Sequence, residues 1–116
     1  MEDSILVSIK KLLGIAEEYT VFDPDIIIHI NSCISILDQL GYPVGINSIT
    51  GNEETWTDLI GTDVTKFNHI KEYIYLKTKM LFDPPQNSSL ITSTEKLISE
   101  CEYRIFVVSD VEKKTS

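Results

Sequence analysis

The sequence is poor in basic residues. It has 10 lysines and arginines against 18 acids, a formal net charge of −8, and residues 24–62 carry five acids and no base. Affinity for a nucleic-acid backbone comes largely from clustered cations that displace counterions from phosphates. The composition therefore disfavours a tight nucleic-acid binder. The one basic segment is residues 63–85, whose bases are Lys66, Lys71, Lys77 and Lys79.

Residues that carry catalytic or metal chemistry are also scarce. Cys33 and Cys101 each lie among apolar residues at helical spacing, with no CxxC pattern, which is typical of buried thiols. The only imidazoles, His29 and His69, fall on different predicted helices. No convergent set of His, Cys, Ser and carboxylates appears at a recognisable spacing. The sequence predicts neither an enzyme nor a cofactor or metal site.

Long hydrophobic runs are absent. No apolar stretch approaches the roughly 20 residues that a membrane span needs, and the first residues, Met-Glu-Asp-Ser, carry acids where a secretory signal carries positive charge. We therefore expect folding in a reducing compartment and no membrane association. A chain of 116 residues predicts one domain that buries roughly two-thirds of its unfolded surface.

Glycine and proline mark the ends of three predicted helices. The first runs from about Ser4 to Leu13 and is ended by Gly14. The second has Asp23 as its cap and Pro24 at its first position, and it ends before Gly41. The third runs from a cap at Asp63 or Thr65 to about Phe82, where Asp83-Pro84-Pro85 forbids its continuation.

The start of the last helix stays open on the sequence. Asn87 or Ser88 could cap it, yet Thr92-x-x-Glu95 is a capping-box pattern four residues later. The helix is expected to be firm to about Phe106. The sequence thus predicts a helical domain over residues 1–108 and a flexible polar tail over 109–116.

The second and third helices carry the widest apolar faces. A helix apolar over more than one seam is buried on more than one side. We therefore expect the second helix at the centre of the domain, or with one seam against another subunit. The predicted core stripes are Ile26, Ile30, Cys33, Leu37 and Leu40, with Ile27 and Ile34 beside them, and Phe67, Ile70, Ile74 and Leu81 on the third helix.

Residues 41–57 interrupt the helical pattern with frequent glycines and one proline. Either a short β-hairpin around Gly51-Asn52 or an irregular excursion fits this segment. A single helical turn follows at about Asp58 to Gly61. Trp56 is predicted either to anchor the excursion to the bundle or to bind a partner. The predicted fold is mostly α, a small bundle of about four helices with this excursion between helices 2 and 3.

The order of four segments resembles the head-to-tail connector (adaptor) proteins of long-tailed phages and prophages. The resemblance covers nearly the whole chain and rests on order and spacing rather than on a chemical signature. The segments are Leu13-Gly14-Ile15, the run from Asp23 to Ser32, Trp56, and the run from Tyr73 to Pro85.

The resemblance implies a structural virion protein that catalyses no reaction. It implies a homo-oligomeric ring of about a dozen copies that docks beneath the portal protein and receives a tail-side completion protein. The implied location is the head-tail junction of the virion, reached from the host cytoplasm during assembly. Because the C-terminal region of such proteins commonly reaches toward the portal, Phe106, Val107 and Val108 are the expected contact residues.

Charge adds two expectations. An acidic lumen would let duplex DNA pass without gripping its phosphates, and Lys77 and Lys79 could pair with a neighbouring subunit's acids. The alternative function is a small helical DNA-binding or regulatory protein of a prophage. That alternative predicts a stable dimer and salt-sensitive duplex binding through the four lysines of residues 63–85.

Overall fold

Five helices make up the regular structure of the residues that the structure describes. The computed structural model describes residues 4–62 and 64–115, and the side chains of residues 64–66 and 108–115 lie outside that description. The helices are α1 (Ile5–Leu12), α2 (Asp23–Gln39), α3 (Trp56–Ile60), α4 (Val64–Phe82) and α5 (Ser88–Thr115). The mostly α-helical prediction is confirmed, with the predicted single turn present as α3.

The central helix is α2, which packs against both α1 and α4, while α5 packs against α4. Phe22 at the start of α2 touches Phe82 at the end of α4, so these two helices run antiparallel. On α4 the buried stripe runs through Ile70, Tyr73, Ile74 and Thr78. Leu81 was predicted on that stripe, but its side chain is 51% exposed. Leu81 lies one residue before the end of α4.

The excursion between α2 and α3 is irregular, not a hairpin. Within residues 4–62 and 64–115 the only β-type pairing is an isolated antiparallel bridge between Ser4 and Thr55. Other groups replace the ladder: the Asn31 carboxamide donates to Ile49 O at 3.0 Å and accepts from Ile49 N at 2.7 Å. Gly45 N donates to Leu59 O at 2.8 Å. These contacts fasten the excursion to α2 and α3 without a second strand.

The prediction that Asp23 caps α2 was wrong. The cap position is Phe22, which makes no side-chain capping hydrogen bond, and Pro24 lies in the first turn. The Asp23 carboxylate instead lies 2.9 Å from the ammonium of Lys10. Gly14 and Gly41 have the positive φ values, 81° and 89°, that a helix terminator adopts.

The last helix begins at the earlier of its two candidate starts. Asn87 Oδ1 accepts hydrogen bonds from the backbone N–H groups of Ser89 at 2.8 Å and Leu90 at 3.3 Å, so Asn87 caps α5. The backbone of α5 continues to Thr115. The division into a domain over 1–108 and a flexible tail over 109–116 stays a prediction. For α4, Asp63 and the side chain of Thr65 lie outside the described part.

Candidate partner-binding surfaces

The end of α5 presents apolar side chains to solvent. Phe106 is 50% exposed and Val107 is 37% exposed, and Tyr103 one turn earlier is 69% exposed. Ile98 and Ile105 occupy the buried side of the same helix. The structure therefore places two of the three residues nominated for portal contact on the surface. The side chain of Val108 lies outside the described residues.

A polar cluster ties α5 to α4. The Tyr73 hydroxyl donates to Glu102 Oε2 at 2.9 Å, and Lys77 Nζ lies 3.3 Å from the same oxygen. Burial first, and the hydrogen bond to Glu102 second, raise the pKa of Tyr73 well above its ordinary range. The phenol is therefore a permanent donor, and it fixes the position of α5 on α4.

The lysines of the basic segment have partners inside the chain. Lys77 pairs with Glu102, and Lys79 Nζ lies 3.3 Å from Asp83 Oδ2. The ammonium of Lys71 lies 5.3 Å from the centre of the Phe67 ring, within cation–π range. The side chain of Lys66 is not described. Two of the three described lysines are thus paired with acids of this chain, which reduces the positive charge that the segment offers to duplex DNA.

Trp56 is completely buried. Its indole N–H donates to Ser8 Oγ at 3.0 Å, and its ring meets Phe67 edge-on at 5.6 Å. The indole thus anchors α3 between α1 and α4, which is the first of the two alternatives for this residue. A contact with a partner would require the indole to leave this position.

A half-exposed aromatic patch lies at the C-terminal end of α4. We define the aromatic patch as Tyr19, Phe22 and Phe82. The rings of Tyr19 and Phe22 are 5.7 Å apart, and Phe22 meets Phe82 edge-on at 5.3 Å. Tyr19 is 48% exposed and Phe22 is 38% exposed. Sequence reasoning missed this patch because two of its rings come from a loop and the third from a distant helix end.

A buried lysine holds the loop that carries this patch. Lys10 is 2% exposed, and its ammonium donates to the carbonyls of Glu17 at 2.9 Å and Tyr19 at 2.7 Å. It also pairs with Asp23 Oδ1, an oxygen that accepts no other hydrogen bond from the described residues. Lys10 follows buried Leu6 by four residues on α1, so its place on the apolar face was the available sequence signal.

A family description fits these features. The family model described as phage connector protein matches residues 5–112. The chain belongs to this family. No curated protein and no solved structure gives a significant match. The resemblance to head-to-tail connectors is therefore confirmed at the level of the family.

Membership places the chain among structural components of phage particles rather than among enzymes. Membership in this family implies contacts with other virion proteins. Neither a group of three potential metal ligands nor a helix long and apolar enough to cross a membrane occurs in the part of the chain that the structure describes.

Both thiols of this connector have raised pKa values. Burial raises the pKa of the Cys33 thiol to about 11, an effect that the weak contact with the Thr78 hydroxyl only partly offsets. Burial also raises the pKa of Cys101. Since the thiolate is the reactive form, a raised pKa disfavours reaction at either thiol. Cys33 lies in the buried core, and the partly buried Cys101 packs against it.

Proposed function

We propose that this connector protein forms a ring of about a dozen copies beneath the portal and joins the capsid to the tail. The observation that carries the proposal is the family match over residues 5–112, taken with an exposed apolar end of α5. Large apolar side chains on an otherwise charged surface are typical of protein contact sites. The portal is the proposed partner of Phe106, Val107 and Val108.

The anchoring of α5 supports a contact at its C-terminal part. Tyr73 and Lys77 both hold Glu102, one turn before Phe106. A rigid base means that less conformational entropy is lost when the following residues bind a partner. The exposed ends of Phe106 and Val107 are therefore presented from a fixed helix, and the tail 109–116 extends the same contact.

Charge supports passage of DNA through the ring. Residues 24–62 carry acids and no base, and the three described lysines of residues 63–85 are engaged within the chain. A lumen lined by such a subunit would repel phosphates instead of holding them. Passage without retention is what a conduit between capsid and tail requires.

The test of the portal contact is deletion of residues 106–116. The shortened chain is expected to keep its helical circular dichroism and to lose binding to the purified portal protein. Replacement of Phe106 and Val107 by serine should give the same result without shortening the helix, whereas Leu90→Ser, at a 57% exposed position near the start of α5, should keep binding. Unchanged portal binding by the deletion variant would remove the assignment.

The proposed inter-subunit role of the lysines needs a test that respects their partners within the chain. Lys77→Glu would place two acids together at Glu102 and so disturb the fold itself. Exchanging Lys79 and Asp83 (Lys79→Glu with Asp83→Lys) preserves their exposed pair but reverses the charge offered to a neighbour. Assembly at low salt should weaken in this double variant. Full ring assembly by the double variant would show that Lys79 makes no contact with a neighbouring subunit that assembly requires.

A further inference from the structure

The loop before α2 is held by a buried lysine, Lys10. Burying an ammonium is unfavourable unless its charge and all its donors find partners. All three recorded partners of Lys10 are on residues 17–23, namely two carbonyls and one carboxylate. The buried charge therefore adds to the two turn hydrogen bonds of this segment, from Tyr19 N to Ala16 O at 3.1 Å and from Asp23 N to Thr20 O at 3.2 Å.

The segment fixed in this way carries exposed aromatic rings. Tyr19 and Phe22 keep about half and more than a third of their surface in solvent, and Phe82 continues the aromatic patch from the end of α4. Phe22 contacts both other rings, Tyr19 in a tilted arrangement and Phe82 edge-on. Rigid, partly exposed aromatic side chains lose little entropy on binding and are the residues that dominate protein interfaces.

The exposed charges near the aromatic patch in the sequence are mostly negative. The exposed acids Glu17, Glu18, Asp25 and Asp83 lie within three residues of one of the rings. The only base within three residues of any ring is Lys79, which pairs with Asp83. A binding partner at this surface is therefore selected for positive charge.

We propose that the aromatic patch is a docking site for a basic, apolar segment of another virion protein, and that Lys10 is its positioning residue. Patch-to-patch contact between two copies of this chain would bring the acids of both surfaces together, so a second copy is a poor occupant of this site. The patch uses residues separate from Phe106, Val107 and Val108. The inference goes beyond the portal contact and does not depend on it.

The test uses the full chain and three synthetic peptides of equal length. The first alternates lysine with leucine and tryptophan, the second replaces each lysine by glutamate, and the third replaces each leucine and tryptophan by serine. Binding is followed by amide NMR shifts at about 0.15 M salt, where long-range charge effects are screened. The first peptide should shift residues 17–23 and 82–83 and bind at least about tenfold tighter than either other peptide.

Variants separate the patch from the charge alone. Tyr19→Ser with Phe22→Ser should weaken binding of the first peptide at least about tenfold, whereas Ile28→Ser, at a 61% exposed position on α2, should leave it unchanged. Lys10→Met keeps an apolar stem but removes the ammonium. It should increase amide exchange at residues 17–23 and weaken binding, with helical circular dichroism retained.

Several results would overturn the proposal. Shifts spread over the acidic surface, or equal binding of the serine-containing peptide, would show a charge effect without a docking site. Shifts at residues 17–23 that appear only on raising the concentration of the chain would identify a second copy as the occupant. Each of these results leaves the portal-binding test untouched, so the two proposals fail independently.

Discussion

The side chain of Asn31 clasps the backbone of Ile49, donating to its carbonyl at 3.0 Å and accepting from its N–H at 2.7 Å. A carboxamide has one donor and one acceptor group at the right spacing to replace a neighbouring strand. Through these two hydrogen bonds, the middle of α2 holds the excursion, for which the sequence left a hairpin and an irregular segment as alternatives.

Replacing Asn31 by alanine should destabilise the chain by about 1–3 kcal/mol, because the N–H and carbonyl of buried Ile49 lose their partner. Urea unfolding followed by circular dichroism measures this free energy. Ser35→Ala, on the exposed side of the same helix, is the control and should change stability by less than about 0.5 kcal/mol. Equal stability of the two variants would mean that the clasp does not hold the excursion.

Gly45 makes room for the backbone of α3. A Cβ at this position would collide with the carbonyl oxygen of Asp58, and Gly45 N already donates to Leu59 O. Gly45→Ala should therefore cost about 1–3 kcal/mol of unfolding free energy.

The matched control is Gly51→Ala, because nothing lies within 4 Å of a Cβ there and its φ is not positive. Its stability should be unchanged or slightly raised. Thermal and urea unfolding of both variants give the comparison. A neutral Gly45→Ala variant would show that the excursion and α3 are not in this close contact.

The carboxylate of Glu54 makes the chain sensitive to acid. Desolvation acts to raise its pKa, but hydrogen bonds from Thr50 and Gly51 outweigh this effect and hold the pKa of Glu54 below its ordinary 4.5. A depressed pKa in the folded state adds stability above the unfolded value and loses it as the pH falls through the folded value. The contribution of Glu54 should therefore be complete above pH 4.5 and decline below it.

Glu54→Gln tests this pH dependence. The difference in unfolding free energy between the original chain and the variant should be largest near about pH 6 and should shrink toward about pH 3. Glu53→Gln, at the exposed neighbouring position, serves as the control. A difference that stays constant across this range would exclude a role for the ionised carboxylate.

The hydroxyl of Tyr73 should be a measurable part of the α4–α5 contact. Tyr73→Phe removes the donor to Glu102 but keeps the buried ring, and a hydrogen bond to a charged group contributes about 1.5–3 kcal/mol. Tyr103→Phe, on the 69% exposed ring of α5, should be neutral. Amide exchange in residues 95–107 reports whether α5 loosens, and unchanged exchange in Tyr73→Phe would contradict the anchoring role.

The sequence predicted helix ends best where backbone sterics decide them. Gly41 after α2 and Pro84 after α4 allow few alternatives, and both ends lie where expected. The start of α5 was ambiguous because Asn87 and Thr92 both offer good capping chemistry, and only the folded chain shows which one is used.

Tertiary contacts explain what the pattern could not predict. A hydrophobicity pattern assigns lysine to solvent, so the burial of Lys10 was not predicted. Two of its partners are backbone carbonyl groups, whose positions depend on the fold and cannot be read from the sequence. The capping role predicted for Asp23 also failed on a tertiary contact, since its carboxylate pairs with the ammonium of Lys10. The aromatic patch unites Phe22 and Phe82, residues far apart in the chain.

The most direct measurement is the mass of the chain in solution, alone and mixed with the purified portal protein of the same phage. Together they should give one large complex that contains about a dozen copies of the chain, and the chain should show no affinity for free duplex DNA at physiological salt. A monomer in isolation is compatible with this outcome when the portal serves as the template. A stable dimer that does not bind the portal protein and does bind duplex DNA would contradict the connector ring.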